Sequence, residues 1–484
     1  MSATVQQFVV GRVRPGSRVR SCIGLTLAIL AGGCSHSSSL TAAPSGPTVV
    51  PVPKWDVASK ETLRLGASEH PLPKYAGTMV GNTFSVSADN NHVAYVGGVA
   101  HYVETIDPFY DTDTKTLKGV DYYVVENGKP GKSYDAIQGI PLFSPDSKHL
   151  AYAARRGKRW FVVADGQPRG PYDAIAEGSL TFSSNSQHIA FSAMVKKHWI
   201  VVLDGKPGPV FEWVGQPAVS SNGAHISYAA GLAGNRVLVT DGNPATIVGK
   251  IAYGPILSSD GLHVAYSAVR GGTALVVVDR KDDAPFDEIG DDLVFSTDGK
   301  HVAYSAKKEG SWLVVSDGKP GAPFAEIGTG PGFSPDGNHL AYSAKAHGRW
   351  FVVADGLPGP AFDNIGSGIV FSPDSQHFGY SAREGKNWVI VVDGRSSNPY
   401  TAVATDSLVF GPDSRLLAYE AIIGKRFMLN LSAIDGRIGS TPFHDGPPDA
   451  SEPVFDSPTA LHTLEVAADS NALERLSVTV PGRN

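Results

Sequence analysis

Cysteine is almost absent from this chain, which has two, Cys22 and Cys34, among 484 residues. Both lie near the N-terminus, so the body of the chain contains no disulfide, and a fold built on a disulfide framework is excluded. A structural zinc site made of several cysteines is excluded for the same reason.

Charged residues and long apolar runs are also scarce. Asp, Glu, Lys and Arg make up 18% of the chain, below the quarter that is typical. The net charge of -6 and the pI near 6.2 give no overall basic surface, so no nucleic acid partner is expected. Outside the first 33 residues no apolar run reaches the length of a membrane-spanning helix. Gly (54) and Pro (34) are abundant, which favours many short strands and turns.

The signatures of common enzymes are missing as well. The sequence has no G-x-S-x-G nucleophile elbow, no H-E-x-x-H zinc motif and no phosphate-binding loop. No cofactor is expected and no catalytic residue is nominated. Catalytic groups scattered over separate loops would escape such a search, so an enzyme remains an alternative.

Residues 1–33 have the pattern of an export signal. Four arginines between residues 12 and 20 precede the apolar run "IGLTLAILA" at 23–31, which is too short to span a bilayer. The segment ends in "LAGGCS", which resembles a bacterial lipoprotein processing site, although Ala31 stands where such sites usually carry Leu. The resemblance implies that Cys34 receives lipid. The alternatives are ordinary signal cleavage and an unprocessed anchor.

Residues 34–70 are predicted to form a tether. The stretch "SHSSSLTAAPSGPTVVPVP" is rich in Ser, Pro and Thr and has no periodicity, which is typical of a flexible, partly extended linker. The leader, Cys34 and the tether together predict an exported periplasmic or cell-surface lipoprotein. Ser35 after the cysteine favours the outer membrane.

The remainder, residues 71–484, repeats one phrase, "FSPDGNHLAYSAKAHGRWFVVADGLPGPAFDNIG" in the copy at Phe333–Gly366. From the second copy to the ninth, successive copies begin 37 to 39 residues apart. The first step is longer because "VETIDPFYDTDTKTLKG" is inserted. A fixed period of this size indicates an array of one supersecondary unit. The copies begin at Val86, Phe143, Phe182, Val219, Leu257, Phe295, Phe333, Phe371 and Phe410, and a weaker one begins at Phe455.

Each unit predicts four short antiparallel strands, a to d. Strand a precedes the "SPDG" turn, strand b is "HLAYSA", a charged segment such as "KAHG" forms the b–c hairpin, and strand c is "RWFVVAD". Strand c is apolar on both faces, as expected for a sheet packed between two others. Strand d is assigned to "AFDNI", whose alternation suits a half-exposed outer strand. Four strands in about 40 residues is the size of one β-propeller blade, and the frequent Pro and Gly argue against a helical solenoid.

The stretch "FSPDGNHLAYSA" resembles the repeat of TolB-like β-propellers, whose blades carry a similar Ser-Pro-Asp-Gly turn before an apolar strand. The resemblance covers about Val86 to Val480 and implies an all-β fold of four-stranded antiparallel blades, but little about function. The tether stands in place of that family's N-terminal α/β domain, so TolB's partners are not carried over. We predict 8–10 blades in a single ring, closed by residues 71–87 joining the strands that follow Phe455. Two smaller rings are the alternative.

Three residue types recur in fixed slots: histidine begins strand b, Asp-Gly follows strand c, and Trp begins strand c. We expect one structural hydrogen bond per histidine, turn chemistry for Asp-Gly, and packing between blades for Trp. The functional alternatives are a metal-binding or pH-sensing histidine ring, a calcium site and an aromatic ring that stacks on ligand. Equivalent positions on different blades are too far apart to share one metal ion. The slots hold His92, His149, His188, His225, His263, His301, His339 and His377, then Asp165, Asp204, Asp241, Asp317, Asp355, Asp393 and Asp435, then Trp160, Trp199, Trp312, Trp350 and Trp388.

The b–c hairpins are rich in basic residues. Because these hairpins point to one side of a propeller, they predict a basic face that docks an anionic partner. Glu309 and Glu384 in the hairpins, and loops such as Asp291–Asp292, offset part of the charge. The alternative is charge that only keeps the hairpins soluble. The basic residues are Arg155, Arg156, Lys158, Arg159, Lys196, Lys197, Arg236, Arg270, Lys307, Lys308, Lys345, Arg349, Arg383, Lys386, Lys425 and Arg426.

These observations favour a non-enzymatic, membrane-tethered propeller that binds or scaffolds a protein or another anionic partner in a bacterial envelope. The partner would be an envelope protein or an anionic glycan or lipid surface, and the chain is expected to be a monomer. The alternatives are a propeller enzyme acting on a glycan or peptide at the channel mouth, and a purely structural envelope component. The acidic, aromatic insertion at Thr105–Gly119 is expected to cover part of the basic face.

Overall fold

The structure is a computed structural model, and it describes residues 57–63, 83, 85–107, 112–247, 249–404, 407–424, 426–433, 438–442, 453–458, 460–466 and 473–479. Over these ranges every regular element is a β-strand, and the strands form ten antiparallel sheets. A helix long and apolar enough to cross a membrane does not occur within them. The all-β propeller architecture predicted from the repeat is confirmed, with each sheet forming one blade.

The blades follow one another along the chain, and the first five contain these strands. Blade 1 comprises Ser85–Val86, Val93–Asp107, Thr112–Glu126 and Lys129–Pro130; blade 2 comprises Ala136–Phe143, Leu150–Arg156, Arg159–Ala164 and Gln167–Tyr172. Blade 3 comprises Ala174–Ile175, Thr181–Phe182, Ile189–Val195, His198–Leu203 and Lys206–Pro207; blade 4 comprises Trp213–Val214, Ala218–Val219, Ile226–Leu232, Asn235–Thr240 and Asn243–Thr246. Blade 5 comprises Lys250–Leu257, Val264–Arg270, Thr273–Val278 and Lys281–Asp282.

The other five blades continue the pattern. Blade 6 comprises Glu288–Ile289, Val294–Phe295, Val302–Lys308, Ser311–Ser316 and Lys319–Pro320; blade 7 comprises Glu326–Ile327, Gly332–Phe333, Leu340–Ala346, Arg349–Ala354 and Leu357–Pro358. Blade 8 comprises Asn364–Phe371, Phe378–Glu384, Asn387–Val392 and Arg395–Ser396; blade 9 comprises Ala402–Val403, Val409–Phe410, Leu416–Ile423, Arg426–Ala433 and Ile438–Pro442. Blade 10 comprises Val454–Ser457, Ala460–Val466, Leu473–Thr479 and, from the N-terminal side, Val57–Leu63.

Strands b and c are as predicted, but the assignment of strand d to "AFDNI" is wrong. In blade 7 the outer strand d is Leu357–Pro358, two exposed residues directly after the Asp-Gly turn. Phe362 of "AFDNI" makes a single bridge to Trp350 of its own blade, and Asn364 already begins strand a of blade 8. The segment therefore links two blades. Its polar–apolar alternation arises because Phe362 is buried between blades 7 and 8 whereas Asp363 is exposed, a pattern that a half-exposed strand would share.

The "SPDG" turn is held by a fixed set of hydrogen bonds. In blade 7 the Ser334 hydroxyl donates to the Asp336 carboxylate at 2.5 Å, and the His339 backbone N–H donates to Ser334 Oγ at 3.0 Å. The Asn338 N–H donates to the same Asp336 oxygen at 3.1 Å. Ser334 is fully buried, so its hydroxyl must be bonded, and this requirement explains why Ser begins the motif.

The core consists of apolar clusters that lie between neighbouring blades. Two adjacent residues of strand c are both buried, as Val162 and Val163 show, because one faces each neighbouring blade. At seven interfaces an aromatic ring from the linker or last strand of one blade meets a ring of the next blade's strand b, with centroids 5.5 to 6.3 Å apart and planes 67° to 79° apart. Phe286 and Tyr304 are one such edge-to-face pair.

The ring closes between blade 10 and blade 1. His462 of blade 10 is completely buried, and its Nε2 lies 3.0 Å from the carbonyl oxygen of Asp89 in blade 1. Its Nδ1 lies 2.9 Å from Asp456 Oδ2. The expectation of a single ring is thus confirmed, with ten blades. Val57–Leu63, rather than the predicted segment 71–87, pairs with Leu473–Thr479 in blade 10. Of the predicted segment, residues 71–82 and 84 lie outside the described residues.

Candidate functional site

The ring has two faces with different residues. The a–b and c–d turns lie on one side, here called the turn face, and the b–c hairpins and the linkers between blades lie on the other, the hairpin face. The contacts show this division directly. His339 beside the a–b turn bonds Asp355 of the c–d turn, whereas Asp363 of a linker accepts a hydrogen bond from Gly385 in a hairpin.

The turn face repeats one arrangement from blade to blade. In seven blades the slot histidine places Nδ1 2.6 to 2.8 Å from the carboxylate of the Asp that follows strand c. The other oxygen of that Asp accepts the backbone N–H of the residue after the histidine at 2.9 to 3.0 Å. The hydrogen bond to Asp355 raises the pKa of His339. In blade 1, Asn127 replaces the Asp beside His92.

Turn chemistry and inter-blade packing explain the other two slots as expected. The slot Asp residues of these seven blades have φ of 47° to 51°, the left-handed conformation that the first residue of an Asp-Gly hairpin turn requires. Asp279 belongs to the series although Arg280 follows it instead of Gly. Trp160, Trp350 and Trp388 pack against apolar clusters that span two blades. Asp435 lies outside the described residues.

The turn faces of adjacent blades are also hydrogen-bonded to one another. The backbone N–H of Asp146 donates to Ser186 Oγ of the next blade at 2.8 Å, and Asp374 makes the same bond to Ser414 at 3.0 Å. Ser186 and Ser414 adopt φ of 66° and 61°, where the motif often has Gly. The hydrogen bond to the serine hydroxyl offsets the cost of a conformation that Gly would adopt more easily. The recurring residues of the turn face thus have structural roles.

Many cations of the hairpin face are engaged within the ring. Arg159 pairs with Asp173, Arg270 with Asp282, and Lys345 with Glu326 at 2.8 Å. Arg349 pairs with both Asp363 and Glu384, at 2.8 and 2.7 Å. Arg155, Lys307 and Lys345 lie 5.4 to 6.0 Å from the ring centres of the cross-strand tryptophans Trp160, Trp312 and Trp350. Arg156 lies 5.2 Å from the ring of Tyr134.

Acidic residues of the linkers add negative charge to the hairpin face. The sequence had predicted these residues on the outer strand d instead. Asp135, Asp173, Glu212, Asp287 and Asp363 each accept a backbone N–H from the next blade's hairpin at 2.5 to 3.3 Å. The hairpin face is therefore less basic than the hairpin sequences alone predicted. Lys158, Lys196, Lys197, Lys308, Arg383 and Lys386 lie exposed on it. Lys425, the side chain of Arg426 and Cys34 lie outside the described residues.

The hairpin face has an apolar interruption that the sequence reasoning missed. Where blades 2, 6, 7 and 8 carry a cation opposite Trp, blades 3 to 5 carry Met194, Gly231 and Val269. The next residue is Val195 in blade 3 and Leu232 in blade 4, in place of Arg156 or Lys308. Aligning the eight hairpins with one another would have shown the change, but only their cations were considered.

The insertion in blade 1 extends its b–c hairpin. Strand b is 15 residues long in blade 1 and 7 in blade 2, and pairing continues to Asp107 and Thr112. The extra length of both strands makes the hairpin roughly 25 Å longer than that of blade 2, at about 3.3 Å per residue. That this insertion covers part of the hairpin face stays a prediction.

A partly buried carboxylate, that of Asp292, lies between the strands Glu288–Ile289 and Val294–Phe295 of blade 6. Asp292 Oδ1 accepts hydrogen bonds from the backbone N–H and the hydroxyl of Ser305, both at 2.9 Å, and burial raises its pKa. Ser179 and Ser407 accept the corresponding strand-b N–H in blades 3 and 9, so Asp292 fills a structural position. Across the described ranges no three His, Cys, Asp or Glu side chains converge as metal ligands do.

No family model and no curated protein matches the chain. Among solved structures it is similar to a eukaryotic initiation factor, at 13% identity and TM-score 0.41, covering 67% of this chain and 92% of that one. It is similar to the Dos1 propeller, at 12% identity and TM-score 0.34, covering 58% and 88%. TolB from Acinetobacter baumannii aligns at 14% identity and TM-score 0.23, covering 75% and 79%. At these values no function transfers, and the propeller assignment rests on the ten sheets themselves.

Proposed function

We propose that this propeller binds a protein partner of the bacterial envelope through its hairpin face, while lipid on Cys34 holds it at a membrane. The contrast between the two faces carries the proposal. The turn face repeats the same hydrogen-bonded residues, whereas the hairpins differ in charge, apolarity and length. In repeat proteins, variation confined to the loops of one face is typical of the binding face.

The charge of the hairpins supports a protein or other anionic partner. Lys158, Lys308 and Lys386 are exposed at the hairpins of blades 2, 6 and 8. Exposed charges of this kind steer an oppositely charged surface toward the face and set its orientation more than they add to affinity. The leader and the Ser/Pro-rich segment after Cys34 support export and tethering of the ring.

Reversing these three lysines is expected to abolish capture of a partner from envelope extracts. The variant carries Lys158→Glu, Lys308→Glu and Lys386→Glu, and captured protein is quantified by mass spectrometry at low and high salt. The amount retained by the parent should fall as salt rises, because exposed charges are screened beyond a Debye length of about 10 Å at 0.1 M.

A matched control carries the same charge change on the turn face, as Lys148→Glu, Lys206→Glu and Lys319→Glu. These three lysines are exposed too, so the control should capture the partner as the parent does. Equal loss in both variants would reject the hairpin face as the contact surface.

Fractionation before capture tests the anchor, because Cys34→Ala should move the chain from the membrane to the soluble fraction.

A further inference from the structure

An apolar patch interrupts the hairpin face over three consecutive blades. It consists of Val195 in blade 3, Trp213 and Leu232 in blade 4, and Val269 in blade 5, whose exposures are 37%, 38%, 40% and 38%. The strand of blade 3 at His198–Leu203 packs against Trp213–Val214, so these hairpins are neighbours. Blades 2 and 6 carry cations at the positions that match Val195, Leu232 and Val269, so the fold does not demand apolar residues there.

Two features show how the patch is built. The indole of Trp213 lies directly over Gly231, where any Cβ would collide with it. Gly at 231 thus lets a large ring lie across the blade. The guanidinium of Arg236, the cross-strand partner of Gly231, lies 5.8 Å from the ring centre of Trp213. The result is an exposed aromatic with a cation beside it, a combination enriched at the centre of protein interfaces.

Lys197 at the border of the patch adopts a conformation that costs stability. The hairpin turn of blade 3 places Lys196 and Lys197 at φ of 49° and 70°. The matching second position is Gly234, Gly272, Gly310 and Gly348 in blades 4 to 7, each with positive φ. A lysine in a conformation that favours glycine suggests that its ammonium group is needed there.

We propose that the apolar patch is the docking site for an acidic protein segment that carries an aromatic or aliphatic anchor. The inference rests on the proposed function and names the partner's chemistry. The anchor packs on Leu232, and carboxylates of the segment pair with Lys196 and Lys197. Trp213 and Arg236, both cross-strand partners of Gly231, lie on the other face of the same blade. The Glu212 carboxylate at the same border is engaged by the Gly234 N–H at 3.3 Å.

The occupant is a protein segment rather than a lipid surface because of the long hairpin of blade 1. That hairpin starts from the same face and is longer than the hairpin of blade 2 by roughly 25 Å, at about 3.3 Å per residue. A flat bilayer would meet it before it reached the patch, whereas a peptide segment can enter beside it.

The test uses peptide display on the immobilised full chain. A library of random twelve-residue peptides is selected, and the enriched peptides are synthesised and titrated against variants. We expect enriched peptides to combine Asp or Glu with an aromatic or aliphatic residue. Leu232→Asp should weaken their binding at least about tenfold, the effect of losing a central interface side chain. Leu357→Asp is the matched control, since Leu357 is 74% exposed on the turn face, and it should leave binding unchanged.

Lys197→Gly gives a readout that a merely structural role cannot reproduce. Gly adopts the positive φ without strain, so the melting temperature should rise, while binding of the acidic peptides should weaken and lose part of its salt dependence. Equal or tighter binding by this variant would contradict the inference.

Four other outcomes would overturn it: no enrichment, enriched peptides without carboxylates, Leu232→Asp releasing the chain from phosphatidylcholine–phosphatidylglycerol vesicles, or the same variant abolishing self-association. The same experiments distinguish failure of this inference from failure of the proposed function. If the triple lysine reversal abolishes capture from extracts and Leu232→Asp does not, the patch inference falls and the binding face stands.

Discussion

Replacing His462 by alanine is expected to lower the free energy of unfolding by about 2 to 4 kcal/mol, the range for breaking a buried hydrogen-bond network. The imidazole is completely buried, and its two nitrogens lie against Asp456 of its own blade and the Asp89 carbonyl of blade 1. The substitution removes both contacts and leaves a cavity between blades 10 and 1. Urea unfolding followed by tryptophan fluorescence measures the change.

The Asp89 turn should loosen together with the histidine. Burial favours the protonated Asp89 carboxyl, yet hydrogen bonds from Ser87, Asn91 and Ser147 outweigh it and lower the pKa of Asp89 to about 2. His198→Ala is the matched control, because His198 is exposed on a hairpin and should change stability little. An effect of His462→Ala no larger than that of His198→Ala would contradict the closure described here.

Removing the closing strand is expected to have the second large effect. A chain that begins at residue 65 lacks Val57–Leu63, which forms six residue pairs with Leu473–Thr479. At about 0.2 to 1 kcal/mol for each cross-strand pair, roughly 1 to 6 kcal/mol of stability should be lost. The strand that remains presents an unpaired edge, which promotes association between chains.

Urea titration and size-exclusion chromatography check both consequences. The comparison is with a chain that begins at residue 50, which keeps the strand and loses only the segment before it. The shorter chain should unfold at lower urea and elute partly as oligomers. Identical unfolding curves and monomeric elution of both chains would show that Val57–Leu63 plays no part in the fold.

The repeat determined most of the fold because its residues act locally. A Ser-Pro-Asp-Gly turn, an Asp-Gly hairpin and an apolar strand between them each have one low-energy arrangement, and copying them fixes a blade. The identity of strand d could not be predicted in the same way. Phe362 and Asp363 alternate as a strand would, but Phe362 packs on Tyr380 and Asp363 holds the hairpin of the next blade. Polar–apolar alternation in a sequence shows which side chains are buried. It does not show against which sheet they are buried.

The closing contacts and the patch were missed for different reasons. Val57–Leu63 carries none of the repeat's motif residues, although it pairs along Leu473–Thr479. His462 lies in the most degenerate copy, one position beyond the slot, so the histidine series did not include it. The apolar patch is visible in the hairpin sequences, yet Leu232 in a single hairpin is unremarkable until its neighbours in adjacent blades are known.

An engineered disulfide tests whether the strand Val57–Leu63 closes the ten-bladed ring. In a chain that begins at residue 50 no native cysteine remains, and cysteines are introduced as Ser59→Cys with Ser477→Cys, or as Lys60→Cys with Leu476→Cys. Both pairs are cross-strand partners, and of two adjacent pairs in an antiparallel ladder one has Cα atoms about 4.5 Å apart, within disulfide reach.

Non-reducing electrophoresis of the oxidised chains is the measurement. At least one pair is expected to form the bond nearly completely and to migrate faster, because the link ties residue 59 or 60 to the far end of the repeat array. Ser59→Cys with Glu474→Cys, three residues out of register, should stay open. Failure of both in-register pairs to cross-link, or equal cross-linking of the out-of-register pair, would contradict a ring closed at Val57–Leu63.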